Sequence, residues 1–237
     1  MSKRFIDSYK VIILDMGNTF MFDCDRFGEN EDYYSTYRIL GGKELDQVRV
    51  TLSINHLYSR MMLDHMDPDC LCKFKTIPEF MQDISMIKDL PDSELFLLEK
   101  VFARHEMGQI PDIYVNILFE LSKTHKLGLI SNIWSDSRFY EMEFKKLGIL
   151  DIFQARIWSS DNGCQKPSSR LFEKAIDHFK VEAESIVYIG DSPDRDVVGA
   201  KSVGMASVWI ENNKRCLSEN HPKPDLIISD LVDILKS

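Results

Sequence analysis

The sequence lacks an excess of positive charge. It contains 29 lysines and arginines against 38 aspartates and glutamates, which gives a formal net charge of -9. Because binding to nucleic acid and to anionic membranes depends largely on Lys and Arg neutralising phosphates, this balance disfavours both kinds of partner. A small phosphorylated metabolite stays open as a partner, since a local positive cluster or a metal ion can override the average field.

Long apolar runs, repeats and low-complexity segments are also missing. The basic start "MSKRFIDSYK" is followed by no apolar stretch before the first strand, so it resembles neither a signal peptide nor a membrane anchor, and we expect a cytoplasmic protein. A chain of 237 residues with 44% hydrophobic and 28% charged residues is typical of a globular enzyme with one large core and a smaller satellite domain. A monomer and a homodimer both remain open.

The cysteines form no disulfide framework, because their number is odd and their spacing irregular. They are Cys24, Cys70, Cys72, Cys164 and Cys216. The C-x-C pair in "DPDCLCK" lacks the C-x-x-C spacing of zinc sites and has no second pair. We therefore expect free thiols rather than a metal site.

Short apolar runs alternate with segments of helical periodicity. The predicted strands are 9–14, 126–130, 153–158, 186–190, 206–210 and a weaker sixth in "PDLIISD". The predicted helices between the later strands are 112–125, 136–147, 168–180 and 194–203. This alternation predicts an α/β fold with a doubly wound, parallel, Rossmann-like sheet.

The interval between the first two strands contains no convincing strand. Instead it has amphipathic segments, such as Val50, Ile54, Leu57 and Met61 at helical steps. We therefore expect a helical cap domain at 20–108, inserted into a core domain made of 1–19 and 109–237.

Polar residues follow several of the predicted strands. They are Asp15 and Thr19 in "LDMGNT", Ser131 and Asn132 in "LGLISN", Lys166 in "CQKPSSRLF", and Asp191 and Asp196 in "VYIGDSPDRD". The carboxyl ends of parallel strands meet at one edge, where open α/β sheets bind ligands. The set offers a carboxylate nucleophile, a hydroxyl and an amide for an oxyanion, a cation, and an acidic cluster for a hard divalent metal.

With these four motifs, in this order, the sequence resembles the haloacid dehalogenase superfamily of hydrolases, with a helical cap of the family's first type. The resemblance implies that Asp15 is a nucleophile that attacks phosphorus to give an aspartyl-phosphate. It implies that Ser131 bonds a phosphoryl oxygen, with Thr19 and Asn132 also in the phosphate site, and that Lys166 offsets the negative charge.

The resemblance also implies a Mg²⁺ site. Its ligands would be Asp15, Asp191 and the backbone carbonyl of Gly17, with Asp196 in a supporting role. An anionic nucleophile cannot approach a phosphate dianion without compensating charge, which a metal ion and Lys166 would supply.

Gly17 departs from the pattern of the family, whose phosphatases mostly have a second aspartate at this position as general acid and base. The glycine still offers its carbonyl to a metal, but the proton-transferring side chain is gone. Asp23 and Asp25, in the loop after the first strand, are candidates to replace it.

These observations favour a Mg²⁺-dependent phosphohydrolase that acts on a small phosphorylated metabolite. Two alternatives stay open: a carbon–halogen hydrolase that uses the same Asp15 ester chemistry, and a metabolite-binding pseudoenzyme weakened by Gly17. The intact Asp191 argues for the phosphate branch over the dehalogenases, which need no metal.

Overall fold

The protein is described here by a computed structural model that covers residues 4–73, 75–211 and 216–236. Its centre is a single six-stranded sheet in the order β3-β2-β1-β4-β5-β6, in which all neighbouring strands are parallel. The strands are β1 (Val11–Leu14), β2 (Lys126–Ser131), β3 (Phe153–Trp158), β4 (Ile186–Gly190), β5 (Ala206–Ile210) and β6 (Leu226–Ile228). Each predicted strand is therefore confirmed.

Helices precede and follow these strands along the chain. The α-helices are α1 (Tyr33–Ile39), α2 (Gln47–Met66), α3 (Ile77–Met81), α4 (Asp92–Glu106), α5 (Asp112–Ser122), α6 (Ser137–Lys146), α7 (Ser159–Asn162), α8 (Ser169–Phe179) and α9 (Val198–Ser202). A π-helical turn, Pro193–Val197, leads into α9, and short 3₁₀ turns lie at Phe5–Ser8, Pro68–Cys70, Leu150–Ile152, Ala183–Ser185 and Leu231–Leu235. The four helices predicted after residue 110 are confirmed, the last of them as this π turn and α9.

The central strand β1 is apolar throughout because both faces of the sheet are covered. Ile12 and Leu14 pack into one apolar cluster, whereas Val11 and Ile13 pack into a second cluster on the opposite face. Successive side chains of a strand point to opposite faces, so a sheet covered on both sides requires a continuous apolar run. This explains the run "VIIL" that precedes Asp15.

The helices α1 to α4 pack around a separate apolar core, which Trp134 joins from the loop after β2. The residues predicted from their spacing on α2, Val50, Ile54, Leu57 and Met61, are all fully buried in it. The chain enters and leaves this insertion through two adjacent segments, where Phe22 and Gln109 pair as an antiparallel bridge. The predicted fold class, a doubly wound parallel sheet with an inserted helical domain, is confirmed, whereas the boundaries at 20 and 108 stay a prediction.

None of the helices in the part of the chain that the structure describes has the length and apolar content of a membrane span.

Candidate active site

Three of the predicted site residues lie where strands end at the carboxyl edge of the sheet. Asp15 directly follows β1, Ser131 is the last residue of β2, and Asp191 directly follows β4. The chain order reverses between β1 and β4, which is the point where open α/β sheets bind ligands. The backbone N–H of Asp15 donates to the carbonyl of Ile189 on β4 at 2.8 Å, which ties the two strand ends together.

Lys166 joins two carboxylates in the interior of this site. Its Nζ lies 2.7 Å from Oδ1 of Asp15 and 2.7 Å from Oδ1 of Asp196, and its side chain is only 3% exposed. The hydroxyl of Tyr188 on β4 accepts a further hydrogen bond from Nζ at 3.0 Å. The three N–H groups of the ammonium can thus be donated to Asp15, Asp196 and Tyr188.

The charge on Lys166 is stabilised by this arrangement. Burial disfavours the ammonium, but the facing carboxylates of Asp15 and Asp196 outweigh it, and the pKa of Lys166 lies above its ordinary value. Burial and the nearby Asp196 also raise the pKa of Tyr188 well above its usual range, so the phenol keeps its proton. The site therefore holds a permanent cation beside the candidate nucleophile.

Ser131 and Asn132 form hydrogen bonds with different partners. The Ser131 hydroxyl donates to Oδ1 of Asp15 at 3.1 Å, in a position 2% exposed. The Asn132 side chain accepts from the backbone N–H of Lys166 at 2.8 Å, and its Nδ2 lies 3.5 Å from the Lys166 carbonyl. Asn132 thus fixes the backbone that presents Lys166, while its proposed contact with phosphate stays a prediction.

A cavity of about 100 Å³ connects these groups. It is lined by Asp15, Gly17, Asn18, Asp25, Ser131, Asn132, Lys166, Asp191, Ser192 and Arg195. Thr19 is buried and is not part of this lining, and its Oγ1 has no hydrogen-bond partner among the described residues. The predicted role of Thr19 in phosphate binding stays a prediction.

Three carboxylates in the site are close enough to hold a metal ion. Asp15, Asp191 and Asp196 each place an oxygen within 4.8 Å of the other two. Carboxylate oxygens suit a hard cation such as Mg²⁺. Asp15 and Asp191 line the cavity, as does Gly17, whereas Asp196 is not part of the lining, so Asp15 and Asp191 are the carboxylates that we expect to bind the ion.

Asp25 lies in the cavity lining, whereas Asp23 does not. The Asp25 side chain is exposed to the solvent of the cleft, but the protein around it desolvates the carboxylate and raises its pKa to about 6, against the lowering effect of Arg195. Because the side chain is still exposed, water in the cleft offsets part of this rise. Of the two candidates that could replace the missing acid at Gly17, only Asp25 reaches the cavity.

Three residues of the site were not foreseen from the sequence: Tyr188, Arg195 and Glu106. Tyr188 could have been found from the otherwise apolar run "IVYIG", because the hydroxyl of a tyrosine in a buried strand needs a hydrogen-bond partner. Arg195 lines the cavity from within the motif "GDSPDRD" that supplied Asp191 and Asp196.

Glu106, the last residue of α4, lies 4% exposed at the base of the insertion. Its carboxylate accepts from the backbone N–H groups of Trp134 and Ser135 at 2.5 and 3.1 Å, and also from the Ser135 hydroxyl. Burial raises the pKa of Glu106 to about 7 despite these hydrogen bonds. The end of the insertion is thereby connected to the loop that follows Ser131 and Asn132.

A family described as haloacid dehalogenase-like hydrolase matches residues 50–210 of this chain. Among curated proteins, the chain is similar to a glyceraldehyde 3-phosphate phosphatase of Pyrococcus furiosus, with 33% identity over 88 residues, 36% of this chain and 37% of that protein. It is also similar to a phosphoserine phosphatase of Thermus thermophilus, with 34% identity over 82 residues, 35% of this chain and 32% of that protein. The matched segments thus span about a third of each curated relative.

Solved structures resemble the chain over nearly its whole length. A 2-haloacid dehalogenase from Pseudomonas syringae has a TM-score of 0.66 and 24% identity, with 96% of this chain and 97% of that chain covered. A haloacid dehalogenase-type phosphatase from Thermococcus onnurineus has a TM-score of 0.63 and 24% identity, with 96% of both chains covered. At this identity the likeness establishes the fold alone.

Proposed function

We propose, from the premise that the chain belongs to the haloacid dehalogenase-like hydrolases, that it is a Mg²⁺-dependent phosphatase of small phosphate monoesters. In this proposal Asp15 attacks phosphorus and carries the phosphoryl group as an aspartyl-phosphate, which water then hydrolyses. The observation that carries the proposal is the position of Asp15 between Lys166 and Ser131.

The surroundings of Asp15 suit an anionic nucleophile that meets an anionic substrate. Lys166 supplies a buried positive charge 2.7 Å from Oδ1, and that charge offsets part of the repulsion between a carboxylate and a phosphate. The Ser131 hydroxyl, now bonded to Asp15, can turn to a phosphoryl oxygen when a substrate is present, since a hydroxyl rotates freely to suit its partner. Arg195 also lines the cavity and adds a second cation to the site.

The acidic cluster fits a Mg²⁺ ion, because it offers hard oxygen donors at close spacing. Asp15, Asp191 and the carbonyl of Gly17 would hold the ion. When bound, Mg²⁺ neutralises charge on the transferring phosphoryl group. Asp196 takes a different role, since it does not line the cavity; it accepts from the backbone N–H of Ser192 at 2.9 Å and pairs with Lys166, and so orients that cation.

Asp25 is the residue that we propose as general acid and base in place of the aspartate missing at position 17. It lines the same cavity as Asp15, and its raised pKa allows it to donate a proton and to accept one near neutral pH. Protonated Asp25 would donate to the leaving oxygen of the ester. The resulting carboxylate would then accept a proton from the water that hydrolyses the aspartyl-phosphate.

The substrates that we propose are phosphate esters of three-carbon compounds. Ligand pockets are usually about 300–1,000 Å³, so a cavity of about 100 Å³ accepts a phosphoryl group and little else unless the insertion moves. The two curated relatives act, by their names, on glyceraldehyde 3-phosphate and on phosphoserine. Both are small esters of this class.

A substrate panel at fixed Mg²⁺ tests the proposal. Phosphate release from glyceraldehyde 3-phosphate, phosphoserine and a chromogenic aryl phosphate is measured with and without EDTA, beside the Asp15→Asn variant. We expect release that needs Mg²⁺ and disappears in the variant. Halide release from a 2-haloacid without phosphatase activity would instead support the dehalogenase alternative. Metabolite binding with no turnover would support the pseudoenzyme.

A further inference from the structure

Two cysteines face each other across the boundary between the helical insertion and the core. Cys72 lies in the turn after Pro68–Cys70 of the insertion, and Cys164 lies two residues before Lys166. Their Sγ atoms are 2.6 Å apart, and the Cys164 thiol donates a hydrogen bond to the Cys72 sulfur. A disulfide bond is about 2.04 Å long, so only a small shift separates this pair of free thiols from a covalent bond.

The two thiols have unlike surroundings. Cys72 is exposed and its sulfur lies 3.2 Å from the Ser168 hydroxyl, whereas Cys164 is only 1% exposed. Although desolvation opposes it, hydrogen bonding from Cys164 and Ser168 and the nearby Arg170 lower the pKa of the Cys72 thiol. Burial and Cys72 raise the pKa of Cys164 to about 11. An accessible, more acidic thiol beside a buried partner is the arrangement of a reactive cysteine with a resolving cysteine.

A metal site does not explain the pair. Among the residues that the structure describes, the one group of at least three metal-ligating side chains is the aspartate cluster of the active site, and it contains neither cysteine. A zinc site needs three or four protein ligands, so two thiols alone are not enough.

We propose that Cys72 and Cys164 are a peroxide-reactive thiol pair, whose oxidation to a disulfide ties the helical insertion to the loop that carries Lys166.

The reaction balances with hydrogen peroxide as the oxidant. The Cys72 thiolate attacks one peroxide oxygen, the O–O bond breaks, and Cys72 becomes a sulfenic acid while hydroxide leaves. The Cys164 sulfur then attacks the Cys72 sulfur, the S–O bond breaks, and a second hydroxide leaves. The protons of the two thiols convert both hydroxides to water. In sum, two thiols and one peroxide give one disulfide and two water molecules.

The disulfide would add a covalent bond where the insertion otherwise contacts the core through hydrogen bonds. The backbone N–H of Gln165 donates to the Leu71 carbonyl at 2.9 Å, and the Gln165 side chain donates to the His65 carbonyl at 3.3 Å. These hydrogen bonds can break when the insertion moves away from the core, but a covalent bond at Cys72 cannot. This consequence for turnover depends on the proposed phosphatase activity, because a substrate must enter the small cavity and product must leave it.

Peptide mapping tests the covalent step without any assay of activity. The reduced protein is treated with equimolar hydrogen peroxide, unreacted thiols are alkylated, and tryptic peptides are identified by mass. We expect peptide 61–73 to be linked to peptide 157–170 with the loss of two hydrogens, reversibly with dithiothreitol. Peptide 61–73 contains both Cys70 and Cys72, so the variants Cys70→Ser and Cys72→Ser identify the linked residue.

The link should persist in Cys70→Ser and be absent from Cys72→Ser and Cys164→Ser. Cys70 is the matched control because it lies in the same C-x-C pair, but desolvation and the nearby Asp67 raise its pKa. Wild-type protein with no 61–73 to 157–170 link would overturn the proposal, and so would a link that survives in Cys72→Ser.

Limited proteolysis and turnover measure the effect of the link on the insertion. Oxidised wild type should be cleaved more slowly than reduced protein between the insertion and the core, and Cys72→Ser should show no difference. If the phosphatase proposal holds, kcat/KM should also fall by roughly tenfold on oxidation and recover with dithiothreitol. Equal cleavage of linked and reduced protein would refute the proposal that the disulfide holds the insertion to the core. A protein that forms the link and resists cleavage but hydrolyses no phosphate would refute only the proposed function.

Discussion

Replacement of Lys166 by methionine should destabilise the protein strongly, because it removes the cation that pairs with two buried carboxylates. Asp15 and Asp196 are 7% and 1% exposed, and each loses an ion pair of 2.7 Å. Breaking a buried ion pair by deleting one partner costs about 3–5 kcal/mol. For a chain of this size each kcal/mol lowers the melting temperature by about 2–4 °C, so we expect a decrease of about 6–20 °C.

The assay is thermal unfolding in EDTA, since a divalent cation could replace the lost positive charge. The decrease should be larger at pH 8 than at pH 5, because protonation of one carboxylate at low pH relieves the repulsion. The double variant Lys166→Met, Asp196→Asn should recover part of the lost stability. Lys146→Met is the matched control: this lysine is 58% exposed in its pair with Glu143, so its removal should cost no more than about 0.5 kcal/mol.

A Lys166→Met protein that melts within about 2 °C of wild type at both pH values would refute the inference that the cluster depends on this charge.

Three further predictions concern proton transfer and the base of the insertion. Asp25→Asn should lower kcat for alkyl phosphates by about 10²- to 10⁴-fold. In wild type we expect kcat/KM to fall above pH 6, where Asp25 loses the proton that it donates, and the variant should not show this fall. An unchanged pH–rate profile would contradict this role. Gly17→Asp should restore part of the lost kcat in the Asp25→Asn background. The substitution should be tolerated, because a β-carbon at this position meets no atom within 4 Å and Gly17 has no positive φ. A folded double variant without recovery would contradict this. The stabilising contribution of Glu106 should be lost as pH rises from about 4.5 to about 7, since the pKa of this group is raised on folding. Denaturant titrations at several pH values should therefore show the stability of Glu106→Gln rising relative to wild type over this range, and a difference that does not change with pH would contradict this.

The sheet and the strand-end residues could be predicted from the sequence because their signals are local. Each strand is a short apolar run that ends at residues such as Asp15 and Asp191, and the topology of a parallel sheet then brings those ends to one edge. The helical period of α2 was equally visible, since Val50 and Ile54 are buried at the expected step.

Contacts between distant segments could not be predicted in this way. The pairing of Cys72 with Cys164 depends on how the insertion sits over the core, and the two residues are 92 positions apart. The same holds for Glu106, whose partners follow β2. The choice of Asp25 over Asp23 depends on the loop conformation, in which both residues have a positive φ of 57° although only Asp25 reaches the cavity.

The measurement that tests the central claim most directly is the search for a phosphoryl group on Asp15 during turnover. A substrate that the protein hydrolyses is mixed with it in Mg²⁺, the reaction is stopped with acid within milliseconds, and borohydride converts any aspartyl-phosphate to homoserine. Peptide 11–26 contains Asp15, Asp23 and Asp25, so fragmentation must locate the change. The account predicts homoserine at position 15 and none in Asp15→Asn. Turnover that leaves residue 15 unmodified, or the same modification at another aspartate, would contradict it.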